Sequence, residues 1–255
     1  MIRRKFLKLS SSAILAGAAT PSLYATASEP LKIEAVAFDA FPIFDPRPVS
    51  ALAEQLFPGK GAELSNAWRT RQFEYQWLRN ISRRYADFWR TTEDALVFAA
   101  QLLRLELTAE RRDRLMNAYL ELDAWPDVSV ALHALKNAGI RLALLSNMTE
   151  RMLRAGLART RLGELFEHVL TTDSIESYKP DPRAYQMGVE AFGLDRDAIL
   201  FAAFAGWDAV GAKSFGYPTF WVNRLGLPEE ALGYRPDGKG PDLMALVRFL
   251  GIGEA

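Results

Sequence analysis

No cysteine occurs in the 255 residues, and histidine appears only as His133 and His168. The first absence excludes disulfide scaffolds, thiolate zinc sites and cysteine nucleophiles together. The second leaves too little material for a histidine-rich metal site or a Ser-His-Asp triad. An excess of charge is missing too, because 31 Lys+Arg stand against 31 Asp+Glu. With no basic block, nucleic acid is not an expected partner. What is present is an ordinary globular composition, 49% hydrophobic and 24% charged, in a chain long enough to bury a core and hold a pocket. Its chemistry must come from carboxylates, hydroxyls, lysine and arginine.

The zero charge hides an uneven start. Residues 1–27 carry Arg3, Arg4, Lys5 and Lys8 and no acid. Arg3-Arg4-Lys5-Phe6-Leu7-Lys8 resembles a twin-arginine export motif. The weakly apolar run from Ala13 to Ala19 is too short to span a bilayer. Ala25-Thr26-Ala27 supplies the small residues a signal peptidase accepts, so an export signal over 1–27 with cleavage after Ala27 is expected. The mature chain would hold 27 basic and 31 acidic residues, net −4, with a periplasmic location and no membrane attachment.

After Leu31 the run Ile33, Ala35, Val36, Ala37, Phe38 ends at Asp39, the pattern of a strand buried on both faces. Pro42, Pro46 and Pro48 are expected to stop regular structure. From Val49 to Asp123 only helical spacing occurs, over 63–84, 91–106 and 108–122, so 49–123 reads as an all-helical insertion. After Trp125-Pro126 the elements alternate: helix 127–138, strand 140–146, helix 149–159, strand 166–171, helix 182–192, strand 199–204, helix 207–215, strand 218–222. Alternation of this kind predicts a doubly wound α/β fold with a parallel sheet and helices on both faces, built from 28–48 and 124–255. The Gly/Pro-rich piece 226–241 reads as a loop before a last helix at 241–250.

Functional groups of such a sheet sit beyond the carboxyl ends of its strands. Four polar stations fall there: Asp39 after the first strand, Ser146 and Asn147 after the second, Lys179 after the third, and Trp207-Asp208 after the fourth. This order, with Lys179-Pro180-Asp181-Pro182 at the third station, resembles the haloacid dehalogenase superfamily. Ala67-Trp68-Arg69-Thr70-Arg71-Gln72-Phe73-Glu74-Tyr75-Gln76-Trp77-Leu78-Arg79 and Trp207-Asp208-Ala209-Val210-Gly211-Ala212 are similar to its type II L-2-haloacid dehalogenases, and Phe215 to Arg224 extends the likeness.

The resemblance implies a Rossmann-like core with a helical cap, and a hydrolase that takes a short 2-haloacid and water without metal or cofactor. Asp39 would attack C2 and form an ester, and Lys179 beside it would favour the charged carboxylate. Arg69 would face the departing halide, and Ser146 and Asn147 the substrate carboxylate. Phe41, Phe88 and Trp207 would line the substrate pocket, Tyr185 would support the site, and Asp208 would orient water. The residues alone leave other roles open. Asp39 could cap a turn, Ser146 or Asp208 could cap a helix, Lys179 could lie in a surface turn, and Arg69 could be solvated. Homodimerisation through the helical insertion also stays open.

Two departures stand out. Asp39 is followed by Ala40-Phe41-Pro42-Ile43-Phe44-Asp45, one residue shorter than the family's Tyr-Gly-Thr-Leu stretch and without its threonine. The family's Ser-Ser-Asn-Ala-Trp-Asp is here Ala203-Phe204-Ala205-Gly206-Trp207-Asp208. The alternative is therefore a member that has lost turnover and binds small acids in the periplasm. Phe41 occupies the place where a phosphatase needs its second Asp, so that reading ranks last.

Overall fold

The computed structural model describes residues 32–253, so the expected export signal and its cleavage site lie outside the described residues. Six parallel strands form one sheet: β1 (Ala35–Phe38), β2 (Arg141–Ser146), β3 (His168–Thr171), β4 (Ile199–Ala203), β5 (Thr219–Val222) and β6 (Gly238–Gly240). Their order is β3-β2-β1-β4-β5-β6. The chain builds outward from β1 in one direction and then crosses to its other side, so β1 and β4 flank the point where the direction of winding reverses.

Both faces of the sheet are dry, as the continuous apolar runs require. Alternate residues of each strand point to opposite sides. Val36, Phe38, Leu142, Leu144, Leu200 and Ala202 face one core, which α5 (Val128–Asn137), α6 (Glu150–Thr160) and α9 (Leu243–Phe249) cover. Ala35, Ala37, Ala143, Leu145, Ile199 and Phe201 face the other, covered by α7 (Pro182–Phe192) and α8 (Gly206–Phe215).

Between the first two strands the chain makes a helical excursion of α1 (Arg47–Leu56), α2 (Gly61–Ser82), α3 (Phe88–Leu102) and α4 (Ala109–Asn117). Phe44 bridges to Ala124, so the segment leaves and rejoins the core at one place. Asp87 caps α3 by accepting from the Arg90 N–H, and Thr108 caps α4 by accepting from the Arg111 N–H.

Three expectations need correction. Pro46 and Pro48 do not stop regular structure: they sit at the start of α1, where a fixed φ suits the first turn and no amide donor is needed. The glycine-rich 226–241 is not all loop, because its end forms the short strand β6 on β5. The helix expected over 108–122 ends at Asn117 and continues as a short 3₁₀ turn, Ala118–Leu120.

Candidate active site

The carboxyl ends of β1, β2 and β4 bring together two carboxylates and one ammonium. Asp39 directly follows β1, and its backbone N–H donates to Ala202 O at 3.0 Å, which ties it to the end of β4. Lys179 is buried to 1% exposure, although it sits in a loop. Its Nζ donates to Asp39 Oδ1 at 2.8 Å, Asp208 Oδ2 at 2.6 Å and Leu145 O at 3.2 Å. All three ammonium protons are thereby engaged. Asp208 lies in the first turn of α8, and its Oδ1 accepts from the Tyr185 hydroxyl at 2.8 Å. Gly211, one turn further along α8, has no Cβ that would strike that hydroxyl.

The electrostatics follow from burial and a net charge of −1. Desolvation raises the Asp208 carboxyl to about 6; Lys179 opposes this and Asp39 adds to it. Burial disfavours the Lys179 ammonium, but the charges of Asp208 and Asp39 outweigh it and raise its pKa. Burial, reinforced by the Asp208 charge, pushes the Tyr185 phenol well up, so it remains a donor. Asp39 Oδ2 accepts one bond, from Phe41 N at 3.2 Å, and is the least restrained oxygen of the cluster.

Asp39 opens into a cavity of about 590 Å³ between the sheet end and the helical excursion. Along α2, Trp68, Gln72, Phe73, Gln76 and Trp77 recur at helical spacing and face it. Phe73 and Trp77 meet Trp207 edge-on, with centroids 5.3 and 5.7 Å apart. Phe41 packs on Phe204 at 5.8 Å, so the two departures from the family pattern meet as an aromatic pair. The indole N–H groups of Trp77 and Trp207 and the amide nitrogen of Gln76 are buried without a partner.

Nine of the ten residues singled out in the sequence line this cavity: Asp39, Phe41, Arg69, Phe88, Ser146, Asn147, Lys179, Trp207 and Asp208. Tyr185 stands behind Asp208 and touches it through its hydroxyl. Arg69 is exposed at the cavity wall, and no carboxylate of the described residues pairs with it. Several of the open alternatives are closed. Lys179 does not lie in a surface turn. Asp208 does not cap its helix, because Lys179 and Tyr185 occupy its side chain. Ser146 does not cap α6 either; Thr149 does so by accepting from Met152 N, while Ser146 Oγ accepts from Met148 N at 3.2 Å.

The Asn147 side chain is engaged within the protein. Its Oδ1 accepts from Lys179 N at 2.9 Å and from the Thr172 hydroxyl at 3.2 Å, and its Nδ2 donates to Gln76 Oε1 at 2.8 Å. Asn80 Nδ2 donates to Tyr178 O at 2.9 Å and braces the lysine loop against α2. Sequence reading missed Gln76, Thr172 and Phe204 as parts of the site. For Gln76 a signal existed: it is a polar residue on the stripe that carries Trp68, Arg69, Gln72 and Phe73.

A family model described as haloacid dehalogenase-like hydrolase matches residues 26–216. The chain is 42% identical over 218 residues to an (S)-2-haloacid dehalogenase of Pseudomonas sp. (strain YL), covering 85% of this chain and 94% of the relative. A crystal structure of an L-2-haloacid dehalogenase superimposes with TM-score 0.85 at 41% identity, covering 86% of this chain and 99% of the other. The structure of the Xanthobacter autotrophicus L-2-haloacid dehalogenase with chloropropionic acid covalently bound gives TM-score 0.79 at 33% identity, covering 88% and 100%.

Proposed function

The chain belongs to the haloacid dehalogenase-like hydrolases, and on that premise we propose that it hydrolyses short (S)-2-haloacids to 2-hydroxyacids through an ester on Asp39. The observation that carries this reading is the unequal treatment of the two Asp39 oxygens. Lys179 grips Oδ1, while Oδ2 keeps one backbone donor and no charged partner, on a residue that lines the cavity.

In the first step Oδ2 forms a bond to C2 of the haloacid, and the carbon–halogen bond breaks with its electron pair on the halide. The guanidinium of Arg69, with which no carboxylate of the described residues pairs, is the group available to meet that charge. Ser146 holds the substrate carboxylate, and Asn147 keeps the lysine loop in register. In the second step water attacks the Asp39 carbonyl carbon. Asp208 accepts one water proton and passes it to the alkyl oxygen as the bond from the Asp39 carbonyl carbon to that oxygen breaks; the hydroxyacid leaves, the second water proton goes to solvent, and the Asp39 carboxylate is restored. A base with a pKa near 6 is suited to this work at neutral pH. Ala203 and Ala205 supply no hydroxyl or amide for the water, which leaves Lys179 and Tyr185 to orient Asp208. Lys179 Nζ fills the space between the carboxylates that a divalent cation would need, so the reaction proposed is metal-independent.

The test is halide release from (S)-2-chloropropionate by the chain beginning at Ser28, beside Asp39→Asn, with intact-mass measurement of both. Catalytic release by the parent chain and none by the variant is expected. One equivalent of halide with a lasting mass gain on Asp39 would mean alkylation without hydrolysis. Neither signal would sink the proposal and favour a small-acid binding protein.

Residues 1–27 are proposed as a twin-arginine signal that delivers the folded chain to the periplasm. Among the described residues no helix is long and apolar enough to cross a membrane. Cell fractionation of the full chain should recover a periplasmic form starting at Ser28, and a double Arg3→Lys, Arg4→Lys variant should stay unprocessed. Recovery of the intact chain in the cytosol would refute this. A homodimer through the helical insertion would cover Leu78 and Ile81, both exposed on α2.

A further inference from the structure

Gln76 is fully buried on α2, lines the cavity, and has one amide hydrogen bond satisfied and the other end free. Its orientation is forced by a chain of partners on the opposite wall. Asn147 Oδ1 receives the Lys179 backbone N–H and the Thr172 hydroxyl, so it must be the carbonyl oxygen. Asn147 therefore turns its amino group to Gln76, and Gln76 must answer with its own carbonyl at 2.8 Å. The Gln76 Nε2 amino group is left buried and without a partner, on a residue that lines the cavity. Buried donors are rarely left unpaired, and one beside a reactive carboxylate asks for a ligand acceptor.

The position of that donor names the acceptor. Gln76 is tied through its carbonyl to Asn147, which directly follows Ser146 at the end of β2, where the substrate carboxylate binds in the proposed function. In the loop after Asp39, Pro42 has no N–H to offer. We propose that Gln76 Nε2 binds the substrate carboxylate, so that a cap helix supplies a donor which the shortened loop after Asp39 cannot. This rests on the proposed substrate class. It makes Gln76 a specificity residue: it favours an acid over the corresponding amide or ester, because a charged acceptor strengthens the bond.

The experiment is calorimetric titration with (S)-lactate, which carries the same carboxylate without a halogen, against the parent chain and Gln76→Glu. The substitution keeps an oxygen to accept from Asn147 and replaces only the free amino group. Relative to the parent at the same pH, affinity should fall about tenfold or more at pH 8. It should recover towards pH 5, where a protonated Glu regains an O–H donor. The KM for (S)-2-chloropropionate should rise in parallel, with kcat changed far less. Gln76→Met, which removes donor and acceptor together, should lose affinity at every pH.

Unchanged lactate affinity of Gln76→Glu at pH 8, or a loss independent of pH, would overturn the assignment and reduce Gln76 to a brace for Asn147. Failure of the parent chain to bind lactate would overturn it as well. Because lactate binding needs no turnover, absence of halide release would count against the dehalogenase reading alone.

Discussion

Replacing Lys179 by Met is the sharpest test of the charge cluster. The side chain becomes apolar and one atom shorter, and loses three hydrogen bonds and one charge, leaving Asp39 and Asp208 buried without a cation. Removing one partner of a buried pair costs about 3–5 kcal/mol, equivalent to about two to four pH units at 1.36 kcal/mol per unit. The protein avoids that penalty by taking up a proton. Asp208, already about 6 beside the lysine, should move to about 8 or above on this scale. In the ester intermediate Asp39 is neutral and no longer adds to this rise, and Asp208 is the only base, so its ionised share at pH 7 falls below the parental one, though by less than in the free variant.

Single-turnover mass spectrometry with (S)-2-chloropropionate should therefore show the ester persisting on Asp39 at pH 7. Its discharge should be slower at pH 7 than in the parent chain and quicken with rising pH to a plateau at or below about pH 8. The stability sign follows from the same shift. A carboxyl raised above its unfolded value of 3.8 makes the folded chain bind more protons than the unfolded one. Its contribution is complete below about pH 4 and lost as pH rises through the folded value. That loss should end near pH 6 in the parent chain and extend to about pH 8 in the variant. Ester discharge at the parental rate with a flat profile from pH 6 to 9 would refute the cluster as the source of the base.

Tyr185→Phe removes the hydroxyl that donates to Asp208 Oδ1 at 2.8 Å and leaves a buried oxygen short of a donor. Denaturant melts should show a loss of about 1–3 kcal/mol, and ester discharge should slow more than ester formation; an unchanged midpoint and unchanged rates would show the contact to be idle. Asp39→Asn, the paired arginine substitutions in the export signal and Gln76→Glu carry the outcomes stated with their proposals.

Much of this protein is legible along the chain because the signals are local. Four-residue apolar runs such as Ala35–Phe38 have no polar side to turn to water, so they announce a sheet covered on both faces. Asp39, Ser146, Lys179 and Asp208 announce a site because each breaks an apolar pattern at a strand end or just beyond it. Proline was the misleading signal. Pro46 and Pro48 were read as stops, yet a proline obstructs a helix only where a preceding carbonyl needs its missing N–H, and the first turn of α1 makes no such demand. β6 was hidden for a related reason, since Gly238 and Gly240 carry no side chains to show alternation. Glycine suits both places because the space a Cβ would take is filled by Phe249 and Phe220 at Gly238 and by Ala245 and Phe220 at Gly240.

The sequence by itself determined most of the order of elements, the parallel sheet and which polar residues gather at its edge, since periodicity and strand-end position are properties of the local chain. Only the tertiary structure decided what those residues do to one another. Lys179 and Asp39 are 140 positions apart in the chain and 2.8 Å apart in the fold, and their distance from Asp208 sets the charge of the site. Gln76 and Asn147, 71 positions apart, fix each other's amides. Hydrogen-bond direction and desolvation depend on neighbours brought from distant segments, and no periodicity along the chain encodes them.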